Sequence, residues 1–292
     1  MEKIAEKKTD RRPRLLLIFG LLAFILIWLQ GSQLLEPQNH PIGPPPADLP
    51  VERVSFFSYS GHTLRGWYVP GIPGRGAVLL LHGYRSDRTS MVARARFLHA
   101  AGHSVLLFDF QAHGESPGDA ITFGHLESLD ALAAMKFLRT RAPRDKIAAL
   151  GISLGGAAAL LAGAQLHADA YILESVFPSL EQATRNRLDE RLGRSGKHLA
   201  PLLLWQLQPR LGFTPADVRP IEPIGKIKQP KLILGGTADQ KTKLKETMAL
   251  YLAAADPKQL WAIEGAGHED LHTYARAIYE QRVLDFLQKN LR

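Results

Sequence analysis

A single serine, Ser153, stands in the stretch GISLGG, where a short strand-like apolar run gives way to a helix-like run. Glycines occupy positions 151, 155 and 156, so the serine has small neighbours on both sides. A G-x-S-x-G stretch between a strand and a helix is typical of a nucleophile elbow, in which the helix N-terminus faces developing negative charge. The same short match also occurs by chance, and Ser153 would then be an ordinary turn residue.

A serine hydroxyl is a weak nucleophile and needs a base in order to react. The stretch GAGHED places His268 in a glycine-flanked loop after a predicted strand, and LGGTADQ places Asp239 after the preceding strand. Serine, acid and histidine therefore occur in the chain order that the elbow architecture uses. These three residues are the candidate catalytic group.

Other residues could fill two of the three positions. Glu174, which ends a predicted strand, and Asp270 are the alternatives to Asp239 as the acid. His82, His113 and His125 are weaker candidates for the base because they precede the serine in the chain.

The elements that must position these residues alternate regularly from residue 51 onward. A predicted hairpin over 51–70 is followed by six continuous apolar runs, as expected of strands covered on both faces. The six predicted strands are 77–83, 103–110, 146–152, 170–175, 230–236 and 258–265. The predicted helices are 87–101, 124–140, 154–167, 243–255 and 271–290. This alternation predicts an α/β fold with a mostly parallel, doubly wound sheet of eight strands, whose loops after the strands carry the site.

The alternation breaks once, over residues 176–229, which are predicted to form a small helical insertion after the sixth strand. Its apolar stretch HLAPLLLWQLQPRLGF either packs on the sheet or forms a pocket for an acyl chain. Arginines at 185, 187, 191 and 194 lie nearby, and they form either a solvated face or a contact with anionic headgroups.

From residue 51 to the C-terminus the chain resembles the α/β-hydrolases. The resemblance rests on LLHGYRSD, DFQAHGES, GISLGG, LGGTADQ and GAGHED occurring in this order. The anchored layout with a small insertion is similar to the depalmitoylase-like branch. One departure is that relatives often have Val-Pro soon after the acid, where this chain has Gln240-Lys241-Thr242.

The resemblance and the chemistry together assign roles. Ser153 would attack an acyl carbon, His268 would take and return the proton, and Asp239 would orient the histidine. The amides of Leu154 and Tyr84 would form the oxyanion hole. The predicted activity is that of a serine hydrolase acting on a small or lipid-like carboxylic ester or thioester. A peptidase or amidase of the same fold and a non-catalytic binding protein remain as alternatives.

The first fifty residues predict membrane attachment. Residues 1–14 form a basic tail, 15–35 form an uncharged run of about the twenty residues that cross a bilayer, and 36–50 form a proline-rich linker. The basic flank predicts a single-pass anchor with its N-terminus in the cytoplasm and the 51–292 domain on the extracytoplasmic, periplasmic side. An uncleaved anchor is favoured over a cleaved signal because Trp28, Leu29 and Gln30 offer no small residues at a cleavage site.

Composition excludes several classes of function. The net charge is +8, but the 36 Lys and Arg are scattered without a basic, aromatic-rich helix, which argues against nucleic-acid binding. With no cysteine, the chain has no thiol nucleophile and no cysteine-ligated metal. Neither an H-E-x-x-H motif nor a dinucleotide fingerprint occurs, so no metal and no cofactor are expected.

Overall fold

The computed structural model describes residues 12–193 and 195–291, with side chains in the first helix from Leu17 onward. Most of the predicted basic tail, residues 1–11, and Arg194 of the insertion lie outside the described residues. Helix α1, Arg12–Leu35, covers the predicted anchor, and its segment Leu17–Leu35 is long and apolar enough to span a membrane.

An eight-stranded sheet forms the centre of the molecule, with the order β8-β7-β6-β5-β3-β4-β2-β1. Its strands are β1 Glu52–Phe57, β2 Thr63–Val69, β3 Ala77–Leu81, β4 Ser104–Phe108, β5 Ile147–Ile152, β6 Ala170–Glu174, β7 Lys231–Gly236 and β8 Lys258–Ile263. The strands from β3 to β8 are parallel, whereas β2 pairs antiparallel with both β1 and β4. The predicted fold class is confirmed, including the hairpin at the edge.

Alternating residues of the central strands enter two separate cores. In β3, Leu79 and Leu81 pack with one core, and Val78 and Leu80 pack with the other. Both sets are fully buried because helices cover both faces of the sheet. This explains why the central strands are continuous apolar runs.

The helices follow the predicted order with small changes at their ends. Outside the insertion they are α2 Val92–Ala100, α3 His125–Arg141, α4 Leu154–Ala162, α9 Leu244–Ala253, α10 Leu271–Tyr274 and α11 Arg276–Leu291. The predicted helix 271–290 is interrupted at Ala275, whose backbone leaves the helical region with φ −126° and ψ 40°. The first turn of the predicted helix 87–101, Arg88–Met91, and the last turn of the predicted helix 154–167, Gly163–Leu166, are 3₁₀.

The insertion forms a cap of short helices between β6 and β7. Its helices are α5 Leu180–Leu192, α6 Ala200–Leu204, α7 Leu207–Leu211 and α8 Ile221–Ile224. Leu204 and Leu207 are buried in the core, but Leu202 and Trp205 are exposed. The apolar stretch therefore packs on the domain with one side and leaves the other uncovered.

The proline-rich segment 36–50, predicted as an extended linker, makes contacts with the domain. Gln38–Asn39 pairs in parallel with residues 113–114, and Ile42 is buried. His40 and Asp48 contact Asp87 and Arg96 of the domain. The segment thus lies along the domain surface, because a proline-rich chain can still pair wherever its non-proline residues offer amides.

Candidate active site

Ser153 lies in a strained turn between β5 and α4. Its φ of 49° and ψ of −109° fall in a region that non-glycine residues rarely adopt. The Ser153 amide donates to the Glu174 carbonyl at 2.7 Å, which continues the pairing of β5 with β6 past the end of the strand. The predicted strand–turn–helix context of the serine is therefore present, and the side chain is almost buried, at 4% exposure.

The glycines around the serine are required by close packing. A Cβ atom on Gly155 would lie 2.2 Å from the Leu81 carbonyl oxygen, and one on Gly151 would lie 2.5 Å from the Gly156 amide nitrogen. Because these neighbours are backbone atoms, they cannot move aside as a flexible side chain can. The glycines let α4 begin directly against β3 and β5.

Asp239 and His268 meet at the carboxyl edge of the sheet. Asp239 Oδ2 lies 2.8 Å from His268 Nδ1, and Asp239 Oδ1 accepts the amides of Lys241 and Thr242 at 2.8 and 2.7 Å. The carboxylate is fully buried, whereas the imidazole is 19% exposed. With Nδ1 held by the carboxylate, Nε2 is the nitrogen left for proton transfer.

Two loops hold this pair together. After β7, the amides of Thr237 and Ala238 donate to the carbonyls of Ile263, which ends β8, and Ala266, at 3.0 and 2.9 Å. The Gly265 amide donates to the Thr237 hydroxyl at 2.8 Å. Because β7 and β8 are adjacent and parallel, their following loops leave the sheet side by side.

Ser153 lies at the same edge but is not hydrogen-bonded to the histidine. Within the described part of the chain, no hydrogen bond joins the Ser153 hydroxyl to the His268 imidazole. Nucleophile–base hydrogen bonds are often long without substrate and tighten when it binds. The structure thus pairs the predicted acid and base directly and places the predicted nucleophile after β5, two strands away from β7.

The loop after β3 carries the second predicted oxyanion donor, Tyr84. His82 braces this loop, because its Nδ1 donates to the Gly83 carbonyl at 2.8 Å and its Nε2 accepts the Phe110 amide at 3.1 Å. Burial lowers the pKa of His82 to about 3, so the ring stays neutral and can accept that amide. The other predicted donor, the Leu154 amide, opens α4, where the first amides have no acceptor within the helix.

The alternative bases have other contacts. His113 accepts the Arg85 amide through Nε2 at 3.3 Å, and burial lowers its pKa. His125 stacks on Phe213 of the cap with ring centroids 4.5 Å apart. Each of these histidines supports a loop or the cap.

The alternative acids belong to an ion-pair network around the buried side chain of Arg94. Arg94 binds the carboxylates of Glu174 and Asp270 at 2.8 and 2.9 Å, and Tyr279 donates to Glu174. Asp270 also accepts the Thr273 amide at the start of α10. Because both carboxylates are already bound by Arg94, they brace the loop before α10, close to His268 in the chain.

Sequence reasoning missed Asn186, which ties the cap to the Asp239 loop. Its side-chain amide donates to the Lys241 carbonyl at 3.1 Å and to Glu246 at 2.7 Å. Asn186 is buried, but it occupies an otherwise polar helix with no motif that would single it out.

The departure from Val-Pro after Asp239 also affects the hydrogen bonds of this carboxylate. A proline at position 241 or 242 would remove one of the two backbone amides that donate to Asp239.

Comparisons with known proteins agree with this architecture. The model of the Alpha/beta hydrolase family matches residues 78–281. The chain belongs to this family. The uncharacterized protein Rv2307c of Mycobacterium tuberculosis is 31% identical over 272 residues, which cover 89% of this chain and 90% of that protein. The Alpha/beta hydrolase domain-containing protein WAV2 of Arabidopsis thaliana is 27% identical and covers 86% of this chain and 83% of its own.

A solved esterase structure shares the fold over most of the chain. The esterase Pf2001 of Pyrococcus furiosus superposes with a TM-score of 0.72 at 24% identity, covering 89% of this α/β-hydrolase and 99% of the esterase. Family and fold together support hydrolase activity on a small-molecule substrate. They do not separate the branches of the family, so the depalmitoylase-like layout stays a prediction.

Proposed function

We propose that this α/β-hydrolase is a membrane-anchored serine hydrolase that cleaves carboxylic esters or thioesters through an acyl-enzyme intermediate. The observation that carries the proposal is the 2.8 Å contact between Asp239 and His268 at the edge of the sheet where Ser153 forms a strained elbow. A buried carboxylate paired with an imidazole is the arrangement that turns a neighbouring serine into a nucleophile.

In the first half-reaction, His268 Nε2 takes the proton of the Ser153 hydroxyl as its oxygen attacks the acyl carbon. The Asp239 carboxylate fixes the tautomer of His268 and stabilises the cation that forms. The amides of Leu154 and Tyr84 donate to the oxyanion. The tetrahedral intermediate then expels the alcohol or thiol, which receives the proton from His268, and leaves the acyl group on Ser153.

In the second half-reaction, water replaces the alcohol. His268 takes a proton from the water, the resulting hydroxide attacks the acyl-enzyme, and Ser153 leaves with the proton returned. The products are a carboxylic acid and the free serine.

Substituting Ser153 by alanine tests this assignment. Turnover of a short p-nitrophenyl ester should fall by several orders of magnitude, to what the oxyanion hole alone supplies. Wild-type turnover in Ser153→Ala would contradict the mechanism. Comparing this ester with an aminoacyl amide separates the esterase from a peptidase, since amide cleavage needs protonation of an amine leaving group.

The anchor and its orientation are part of the same proposal. Helix α1 has a predominantly apolar, uncharged segment of 19 residues, and the basic residues before it favour a cytoplasmic N-terminus with the catalytic domain outside. Full-length protein should stay in the membrane pellet after a carbonate wash, and the domain should be cleaved by protease added to spheroplasts. Release by carbonate would contradict the anchor, and protection from the protease would reverse the topology.

A further inference from the structure

Helix α1 has two halves with different surroundings. From Leu17 to Leu26 every residue is exposed, including Phe19 at 69% and Leu22 at 57%. From Ile27 onward one side of the helix is partly or fully buried, with Gly31 and Leu35 buried, whereas Leu29 on the other side stays exposed. The second half of the apolar helix therefore packs against the domain.

The cap makes most of these contacts. Gln206 donates to the Ile27 carbonyl at 2.9 Å, and Arg210 donates to the Trp28 carbonyl at 2.6 Å and to the Ser32 hydroxyl at 2.8 Å. The Arg210 guanidinium also lies over the Trp28 ring at 3.9 Å. Gly31 allows the close approach, because a Cβ there would lie 2.3 Å from Gln206 Oε1.

The end of α1 also contacts the loop that carries a proposed oxyanion donor. The Tyr84 hydroxyl donates to the Leu34 carbonyl at 2.7 Å, Arg85 donates to the Gln33 carbonyl, and the Ile121 amide donates to the Leu35 carbonyl at 2.9 Å. The helix thus leaves the domain at the carboxyl edge of the sheet, on the same side as Ser153 and the cap.

The length of α1 limits how it crosses a bilayer. The uncharged residues before the first hydrogen bond from the cap, 15–26, rise only ~18 Å at about 1.5 Å per residue. The hydrocarbon core of a bilayer is ~30 Å thick, and residues 15–35 are needed to cover it. The span must therefore include the part of α1 that the cap touches.

The cap has an apolar outer surface beside this part of α1. Leu199, Leu202 and Trp205 are 41%, 49% and 58% exposed, and the Trp205 ring meets the ring of Phe24, in the exposed half of α1, at 6.3 Å. Three large apolar side chains that continue the surface of a membrane helix are better accommodated by lipid than by water.

We propose that this outer surface of the cap, Leu199, Leu202 and Trp205, is immersed in the bilayer leaflet that surrounds the second half of α1. The exposed half of α1 alone is too short to cross the hydrocarbon core, and the apolar surface of the immersed cap surrounds the part of α1 that completes the span. The carboxyl edge of the sheet then faces the membrane. The inference rests on the proposed membrane anchor, and it does not depend on the proposed chemistry.

A depth measurement tests this directly. Because the natural chain contains no cysteine, Leu202→Cys in the full-length chain provides a single site for a nitroxide spin label after reconstitution into phospholipid vesicles. The ratio of collisions with oxygen to collisions with a water-soluble nickel chelate should be several-fold higher at residue 202 than at Ile72→Cys. Ile72 is the matched control, since it is 58% exposed and lies before β3 at the opposite edge of the sheet. Leu199→Cys should repeat the result.

A label at Leu22→Cys, in the exposed half of α1, separates the two parts of the argument. If position 22 reports lipid and position 202 reports water, the cap is not immersed and the proposal is overturned. If both report water, the anchor is overturned as well. Neither result changes the ester turnover expected of Ser153, which is measured separately in detergent.

Discussion

Asp239 holds His268 Nδ1 with one carboxylate oxygen at 2.8 Å and two backbone amides with the other. The amides of Lys241 and Thr242 fix the carboxylate from its far side, so its position does not depend on the histidine. A base whose orientation is set in advance loses less freedom when the serine attacks, and this is the physical advantage of the arrangement.

Asp239→Asn should lower kcat for a short ester by about 10³- to 10⁴-fold with a small change in KM. The asparagine oxygen keeps the Lys241 and Thr242 amides, so its NH2 group faces His268 Nδ1 and can only donate to it. The histidine then loses the tautomer that leaves Nε2 as the base. Steady-state kinetics with p-nitrophenyl butyrate measure the effect, and circular dichroism checks the fold. Wild-type kcat in this variant would assign the acid elsewhere.

Glu174→Gln is the matched control, because it should lower the thermal stability and leave kcat nearly unchanged. Glu174 pairs with Arg94 and Tyr279 in the interior, and weakening a buried ion pair costs about 3 kcal/mol. Thermal unfolding should therefore begin at a lower temperature, while the kcat of the folded enzyme stays near that of the wild type. A loss of kcat of the size expected for Asp239→Asn would make Glu174 the catalytic acid.

Gly155→Ala should destabilise the elbow. The added Cβ would lie 2.2 Å from the Leu81 carbonyl oxygen, and relieving the contact requires α4 or β3 to shift, at a cost of about 2 kcal/mol. Differential scanning fluorimetry should show a lower melting temperature together with reduced turnover. Gly43→Ala is the control, since a Cβ at Gly43 meets no atom within 4 Å. Equal melting temperatures for the two variants would contradict the packing described here.

His82→Gln should reduce the pH dependence of stability. Burial lowers the pKa of His82 to about 3, whereas an unfolded histidine titrates near 6.5. The unfolded chain therefore binds an extra proton as pH falls below ~6.5, and the folded protein loses stability, by about 2 kcal/mol at pH 5 from this residue.

Urea unfolding at pH 7 and pH 5 measures this difference. Glutamine does not titrate, so the loss between the two pH values should be smaller in His82→Gln than in the wild type. The exposed His198→Gln should match the wild type. An unchanged loss in His82→Gln would mean that His82 is protonated in the folded protein.

The strands of the sheet and the order of the candidate site residues along the chain could be predicted from the sequence, because both depend on local patterns. Continuous apolar runs mark strands that are buried on both faces, and small residues around Ser153 mark a tight turn. The break at Ala275 was missed because no proline or glycine marks it.

Contacts between distant segments could not be predicted in the same way. The pairing of Gln38–Asn39 with residues 113–114 uses backbone atoms, so side-chain type carries no signal for it. The same applies to the Leu34 carbonyl that Tyr84 binds and to the Ile27 carbonyl that Gln206 binds. The sequence also identified an apolar cap stretch without showing which of its sides faces the domain.

The most direct test of the central claim is to find the residue that becomes covalently modified. Purified full-length protein treated with a fluorophosphonate should gain one adduct by intact mass, and peptide mapping should place it on Ser153. Ser153→Ala, folded by circular dichroism, should gain none. An unlabelled Ser153 in protein that hydrolyses esters, or an adduct on another serine, would contradict the proposed mechanism.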